Sequence, residues 1–353
     1  MRAIKTTWAL LCGLLVVAEF VADAQPSIRI AGVEEPPELT GEPKKVTEPP
    51  EAWRHLMANS LPKEEKKGEN AAALKFLNEA VREVPDWSDG YFWRATVNRC
   101  ILRTTDTESV LSDVNMAIST HATQKIERME GWGSLASHYG FRAKLDLDTG
   151  HYREAMDDLE QAVAQGAEEA DKVFANRGGK PDAPPENPCA WSLSDLDSLG
   201  QRFPQDYRSY LFRGLYLSVF SVVGVSDEKY YRQAIQAFER AAEVSPTSPL
   251  PYYYLGYLHW KASFLLYHTS EEKRTEANKK AIQGFTRAIQ ANPRFERAYE
   301  LRADSYWAEK QDAQAIGDYG RALELNPDCA NAYGGRGEAE MELGRYAAAI
   351  TDL

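Results

Sequence analysis

Apolar residues along most of this chain recur at spacings of three and four, the period of a helix with one buried face. Sustained alternation of apolar and polar residues, the mark of a half-buried strand, is missing apart from Ser221 to Ser226. In Ala155/Leu159/Ala162, Ala234/Phe238/Ala241, Ala281/Phe285/Ala288 and Ala315/Tyr319/Ala322, two small residues and one large apolar residue fall on a single helical face. Each of these segments follows another helical segment that opens on tyrosine. The openings are Tyr91-Phe-Trp-Arg94-Ala95, Tyr139-Gly-Phe-Arg142-Ala143, Tyr210-Leu-Phe-Arg213-Gly214, Tyr252-Tyr-Tyr-Leu255-Gly256, Tyr299-Glu-Leu-Arg302-Ala303 and Tyr333-Gly-Gly-Arg336-Gly337. The pattern predicts an all-α chain built of helical hairpins.

The hairpins repeat. Tyr299 and Tyr333 are 34 residues apart, as are Asn292-Pro293 and Asn326-Pro327, which is the length of one helix pair. Pro204, Pro246, Pro293 and Pro327 end one hairpin and open the next, since proline pushes the residue before it out of helical geometry. The small residues Ala143, Gly214, Gly256 and Ala303 let the two helices approach closely. From small residue to first alanine of the second helix the gap is 12 in the regular case, but 20 from Gly214 to Ala234 and 25 from Gly256 to Ala281. Those hairpins carry lengthened helices or inserted turns. A degenerate first hairpin is marked by Ala73, Leu77, Ala80 and Pro85.

These residues resemble the tetratricopeptide-repeat family, over roughly residues 51 to 353. The resemblance implies a right-handed superhelical solenoid of antiparallel helix pairs, about six to seven repeats with the last incomplete. It also implies a concave wall lined by first helices, on which related proteins bind peptides or partner helices.

The two ends of the chain read differently. Arg2 and Lys5, an apolar stretch from Trp8 to Ala18 and the small-x-small Ala22-Asp23-Ala24 predict a signal peptide over 1–24, cleaved after Ala24. Secretion, or a periplasmic location in a bacterium, is the expectation, with no stable membrane insertion once the leader is removed. Residues 25–50, with six prolines and several glutamates, form a linker. An N-terminal array over 51–168 and a C-terminal array over 207–353 are divided at 169–206 by a loop rich in Pro and Gly, with Trp191 placed to tuck back onto the helices. The final hairpin stops early, which leaves its open end available for self-association.

Five of the six openings carry arginine where the family prefers leucine. Four of these have an aspartate at the matching place on the second helix: Arg94 with Asp113, Arg142 with Asp158, Arg302 with Asp318 and Arg336 with Asp352. A planar guanidinium holding a carboxylate between the helices of one hairpin is the expected arrangement. Arg213 faces Ala237 and departs from it, and where Leu255 replaces arginine the matching residue is Gly284.

With 41 Lys+Arg against 53 Asp+Glu the formal charge is −12, and no basic cluster is present to displace counterions from phosphates, which excludes general nucleic-acid binding. His-Glu-x-x-His, phosphate-loop, serine-elbow and paired-cysteine zinc patterns are all absent, so no catalytic residue, cofactor or metal is expected. After leader removal Cys100, Cys189 and Cys329 remain, enough for one disulfide whose pairing the sequence leaves open. What is left is a surface. Phe92, Trp93, Phe141, Phe212, Tyr253, Tyr254, Tyr257, Trp260 and Trp307 lie on first helices and offer large apolar area for a protein or peptide partner, or else pack between repeats. The family's carboxylate-clamping subtype uses Lys and Asn there, so recognition of an acidic C-terminal tail is not expected. The expected function is a non-catalytic interaction scaffold. The alternative is the recruitment region of a larger enzyme whose catalytic domain lies beyond residue 353.

Overall fold

A computed structural model of the chain describes residues 67–122, 134–174, 181, 187, 189–222, 228–265 and 270–352. Residues 1–66, on which the expected leader and linker fall, lie outside the described residues. The described residues belong to one compact unit and hold fifteen helices and no strand. These are α1 (Lys67–Glu83), α2 (Ser88–Thr96, continued by a π turn at Val97–Ile101), α3 (Thr107–Thr120), α4 (Leu135–Thr149) and α5 (Tyr152–Ala164). Then come α6 (Ala167–Phe174), α7 (Leu193–Arg202), α8 (Tyr207–Val222), α9 (Glu228–Val244) and α10 (Pro249–Leu265). The last five are α11 (Glu271–Ala291), α12 (Glu296–Ala308), α13 (Asp312–Leu325), α14 (Ala330–Glu342) and α15 (Tyr346–Asp352). Ser221 and Val222, which alternate like a strand in sequence, close α8.

Local chemistry sets the helix ends. Side chains of Asp106, Ser134 and Ser270 accept from backbone N–H groups in the first turns of α3, α4 and α11, and Ser192 with Asp195 forms a reciprocal capping box on α7. Before Pro293 and Pro327 an asparagine caps the turn between hairpins, Asn292 Oδ1 accepting from Arg294 N at 3.0 Å and Asn326 Oδ1 from Asp328 N at 3.2 Å. The opening tyrosines close the same turn from the other side: Tyr210, Tyr252 and Tyr299 donate to the carbonyls of Pro204, Pro246 and Pro293.

The helices pair as α2/α3, α4/α5, α8/α9, α10/α11, α12/α13 and α14/α15, and each second helix packs on the next first helix along most of the array. First helices also touch one another, α8 on α10, α10 on α12 and α12 on α14. Within a hairpin the small residue of the first helix admits the aromatic residue of the second. A Cβ added to Gly214 would stand 2.5 Å from the Phe238 ring, and one added to Gly256 2.9 Å from Phe285. Phe238, Phe285 and Tyr319 are fully buried in this way.

The described residues of 169–206 are largely helical, a correction to the sequence reading of a loop. They contain most of α6 and all of α7, and α7 has the register of a second helix. Asp197 lies seven residues before Pro204, as Asn78 does before Pro85 and Thr286 before Pro293. All three accept from an arginine sixteen residues later: Asn78 from Arg94, Asp197 from Arg213 and Thr286 from Arg302. Leu196 and Leu199 fill the core places held elsewhere by Leu77/Ala80 and Phe285/Ala288. The repeat is hidden in sequence because Ser192 and Leu199 replace its two alanines. The helix before it in sequence, α6, packs against first helices α4 and α8. Trp191 is buried with its ring 5.8 Å from Phe174. Cys100 after α2 and Cys189 before α7 form a disulfide, and Cys329 is free and buried.

Candidate interaction face

The arginine forks are the most regular feature of the hairpins. Arg94 donates Nε to Asp113 Oδ2 at 2.9 Å and Nη2 to Oδ1 at 2.5 Å. Arg142 holds Asp158 at 2.7 and 2.6 Å, Arg302 holds Asp318 at 2.7 and 2.8 Å, and Arg336 holds Asp352 at 2.6 and 2.7 Å. The guanidinium lies over the tyrosine one helical turn earlier, 5.5 Å from the Tyr91 and Tyr139 rings and 5.6 Å from those of Tyr299 and Tyr333. Three of the four extend a further N–H to the preceding second helix, at Asn78, Asn115 and Thr286. These residues tie helices together and face the interior of the hairpin stack.

A different stripe of the first helices starts with the residue after the opening tyrosine. Equivalent places hold Gly140, Lys144 and Leu147 on α4, Leu211, Leu215 and Ser218 on α8, and Tyr253, Tyr257 and Trp260 on α10. On α12 they hold Glu300, Asp304 and Trp307, and on α14 Gly334, Glu338 and Met341.

In the middle of the array α6 occupies this stripe. Val173 sits where a Cβ on Gly140 would come within 2.5 Å, and Phe174 meets the Tyr216 ring at 6.4 Å. Asp171 takes a 2.5 Å ion pair from Lys261 of α10, and its carboxyl is pushed above the ordinary range by burial, against the pull of Lys261. Lys144 is buried between Asp148 and Asp195. Leu211 and Leu215 are 1% exposed, Tyr253 3% and Tyr257 8%.

This corrects the partner-binding assignment of five aromatic residues. Tyr253 packs on Phe285 and Phe295, Tyr257 stacks on Trp260, and Tyr254 stacks on Phe238 with its hydroxyl donating to the Val163 carbonyl at 3.4 Å. Phe141 is buried edge-on to Phe92, and Phe212 is wholly enclosed in the main core. Burial holds the hydroxyls of Tyr253, Tyr254 and Tyr257 un-ionised, well above the ordinary phenol range. Phe92, Trp93 and Trp260 are half-buried, and only Trp307 of the nine is well exposed, at 39%.

The open part of the stripe belongs to α12 and α14, with an exposed Trp307 and an exposed Met341 at matching places. Behind them is a cluster of ionisable groups that sequence inspection passed over. Glu300 is buried, accepts from Arg297 at 2.8 and 3.2 Å, and is approached by Asn331 Nδ2 at 3.3 Å. Asp304 accepts from the Tyr319 hydroxyl at 2.6 Å, and burial, reinforced by Glu300 and Glu338 and opposed by Tyr319 and Arg297, raises its carboxyl to about 7. Burial and Glu300 also raise Glu296. The available signal was three acids, Glu296, Glu300 and Asp304, spaced by four on α12.

Glu296, Glu300 and Cys329 bring ligand atoms within 4.8 Å of one another. Glu300 nevertheless spends both oxygens on Arg297, and burial with nearby Glu300 pushes the thiol up to about 12, so the group is held as a hydrogen-bonded cluster. Among the described residues no helix is long and apolar enough to cross a membrane.

Residues 303–353, the last hairpins of this array, match the family profile described as tetratricopeptide repeat. Those last hairpins are tetratricopeptide repeats. Among curated relatives, the TPR repeat-containing thioredoxin TDX of Arabidopsis thaliana is 37% identical over 73 residues, 21% of this chain. The chain spans 19% of that relative's length. Among solved structures, a crystal structure of MamA is 20% identical, with 45% of this chain and 81% of that one covered and a TM-score of 0.36. MamA from Desulfovibrio magneticus RS-1, residue 41 to the end, is 16% identical, with 62% and 92% covered and a TM-score of 0.38.

Proposed function

We propose that this protein is a non-catalytic tetratricopeptide-repeat interaction scaffold that binds a peptide or partner protein on the first-helix face of its C-terminal repeats. The observation that carries the reading is the contrast along the stripe. The chain's own α6 covers it at α4 and α8 and reaches α10 through the Asp171–Lys261 ion pair, while α12 and α14 leave Trp307 and Met341 open beside carboxylates. An exposed aromatic next to hydrogen-bonding groups suits a partner anchor. Work outside the reducing cytosol fits the signal-like leader, and the Cys100–Cys189 disulfide supports that location. Self-association through the last hairpin, where Tyr346 and Ile350 are exposed, belongs to the same scaffold reading.

A photo-crosslinking residue placed at Trp307, in native extract, is expected to capture protein, and the same residue at Tyr253 to capture none. Equal capture at both positions would move the binding face elsewhere. A second reading is a recruitment region for a larger enzyme, favoured by the Arabidopsis relative's name, which joins repeats to a thioredoxin. These 353 residues contain no Cys-x-x-Cys, so a redox dithiol of that kind would have to lie in another segment.

A further inference from the structure

We infer that the open face of α12 and α14 receives a cationic segment, one that sets a lysine or arginine beside a bulky apolar residue; this rests on the proposed binding role of that face. Two features of different kinds converge there. Trp307 and Met341 occupy equivalent places on neighbouring, mutually packed helices and are 39% and 42% exposed, an apolar anchor for a side chain of the partner. One and two turns nearer the N-terminal end of the same stripe stand Asp304 and Glu300 on α12, with Glu338 on α14 acting on the same carboxyl. Glu296 extends the group.

Arg297 donates to both oxygens of Glu300. Asp304 holds its proton up to about pH 7 in the free protein and ionises as a cation approaches, so negative charge develops where the apolar anchors are. A carboxylate group this dense disfavours an acidic or a purely apolar segment and favours a basic one. The aromatic face of Trp307 accepts a cation as readily as an aliphatic chain. The buried neighbours sharpen the choice: Asp304 accepts its hydrogen bond from Tyr319, which leaves the second carboxyl oxygen for an incoming N–H donor. The net charge of −12 draws a basic segment toward this face at low salt.

The test uses residues 25–353 and a matched set of synthetic peptides with one Leu-Trp core flanked by lysines, by serines or by glutamates, read by calorimetry. The lysine peptide is expected to bind about ten-fold more tightly than the serine peptide and to weaken steeply with salt. Glu338→Gln and Asp304→Asn should each cost about ten-fold for the lysine peptide and leave the serine peptide unchanged, and Trp307→Ala should weaken both. Glu324→Gln, an exposed acid on α13, should change neither. Circular dichroism melts establish that each variant folds, and exposed Glu338 keeps the test open should Asp304→Asn unfold. Equal binding of lysine and serine peptides with loss in Trp307→Ala overturns the cationic partner but keeps the face. Lysine-peptide binding insensitive to Trp307→Ala overturns both.

Discussion

Arg213 donates Nε to Asp197 at 2.8 Å, reaching back sixteen residues to the helix before it, whereas Arg302 reaches forward sixteen residues to Asp318. The acid has changed sides. Ala237 stands at the forward place, and α7 supplies the carboxylate instead. The two pairs also differ in setting: the side chains of Arg302 and Asp318 are 15% and 13% exposed, those of Arg213 and Asp197 29% and 44%. Arg302→Leu is expected to cost about 2–3 kcal/mol, because it strands an enclosed carboxylate, and Arg213→Leu only about 0.5–1 kcal/mol. Urea unfolding of both variants checks the order. Asp318→Leu added to Arg302→Leu should recover part of the loss, since no uncompensated charge then remains.

Helix contact in the α10/α11 hairpin depends on glycine against glycine. A Cβ on Gly284 would lie 2.7 Å from the Gly256 backbone and 3.0 Å from the Tyr252 carbonyl, whereas one on Gly317 of α13 would meet nothing within 4 Å. Gly284→Ala should destabilise by about 2 kcal/mol or more through forced separation of the helices. Gly317→Ala should stabilise by about 0.5–1 kcal/mol, since alanine removes unfolded-state freedom inside a helix. Thermal melts of the two variants are expected to move in opposite directions.

Stability near neutral pH should carry the signature of Asp304. Its folded value of about 7 lies above its unfolded value, so the folded state holds the extra proton in between. Its contribution is present at low pH and is lost as pH rises toward 7, with a slope of at most about 1.4 kcal/mol per pH unit. His259, depressed to about 4 by burial in α10, runs the other way, its contribution falling as pH drops below its unfolded value. The measurement is therefore the difference between Asp304→Asn and the parent. The variant should gain on the parent as pH rises from about 4 to about 7 and level off above that, and a flat difference would place the titration elsewhere.

The Cys100–Cys189 bond closes a sequence separation of 89 and anchors the segment that carries Trp191 to the end of α2. Cys100→Ser with Cys189→Ser should cost about 2–4 kcal/mol. Buried Cys329 should resist a thiol reagent in folded residues 25–353 and react as a single thiol after unfolding without reductant. Two or more reactive thiols would mean the bond is not formed.

Much of the fold was legible along the chain. Tyrosine openings, small residues, prolines and the Arg/Asp offsets are local or spaced by half a repeat, and the contacts they report lie within one hairpin. Reading the interaction face from the same residues failed at Tyr253, Tyr254 and Tyr257, because the partners that enclose them include Phe295, Phe238 and the Val163 carbonyl, the last 91 residues away. The α12 carboxylates were visible as spacing, yet their influence on one another required α13 and α14 to enclose them.

By itself the sequence determined a helical hairpin repeat, its period and the partners within each hairpin, since helical periodicity and proline act over a few residues. The tertiary structure alone decided that α6 and α7 belong to the array, that Cys189 rather than Cys329 meets Cys100, and that the open face narrows to α12 and α14. Those outcomes depend on which surfaces meet between distant segments, and burial there is settled by packing that leaves no periodic mark in the chain.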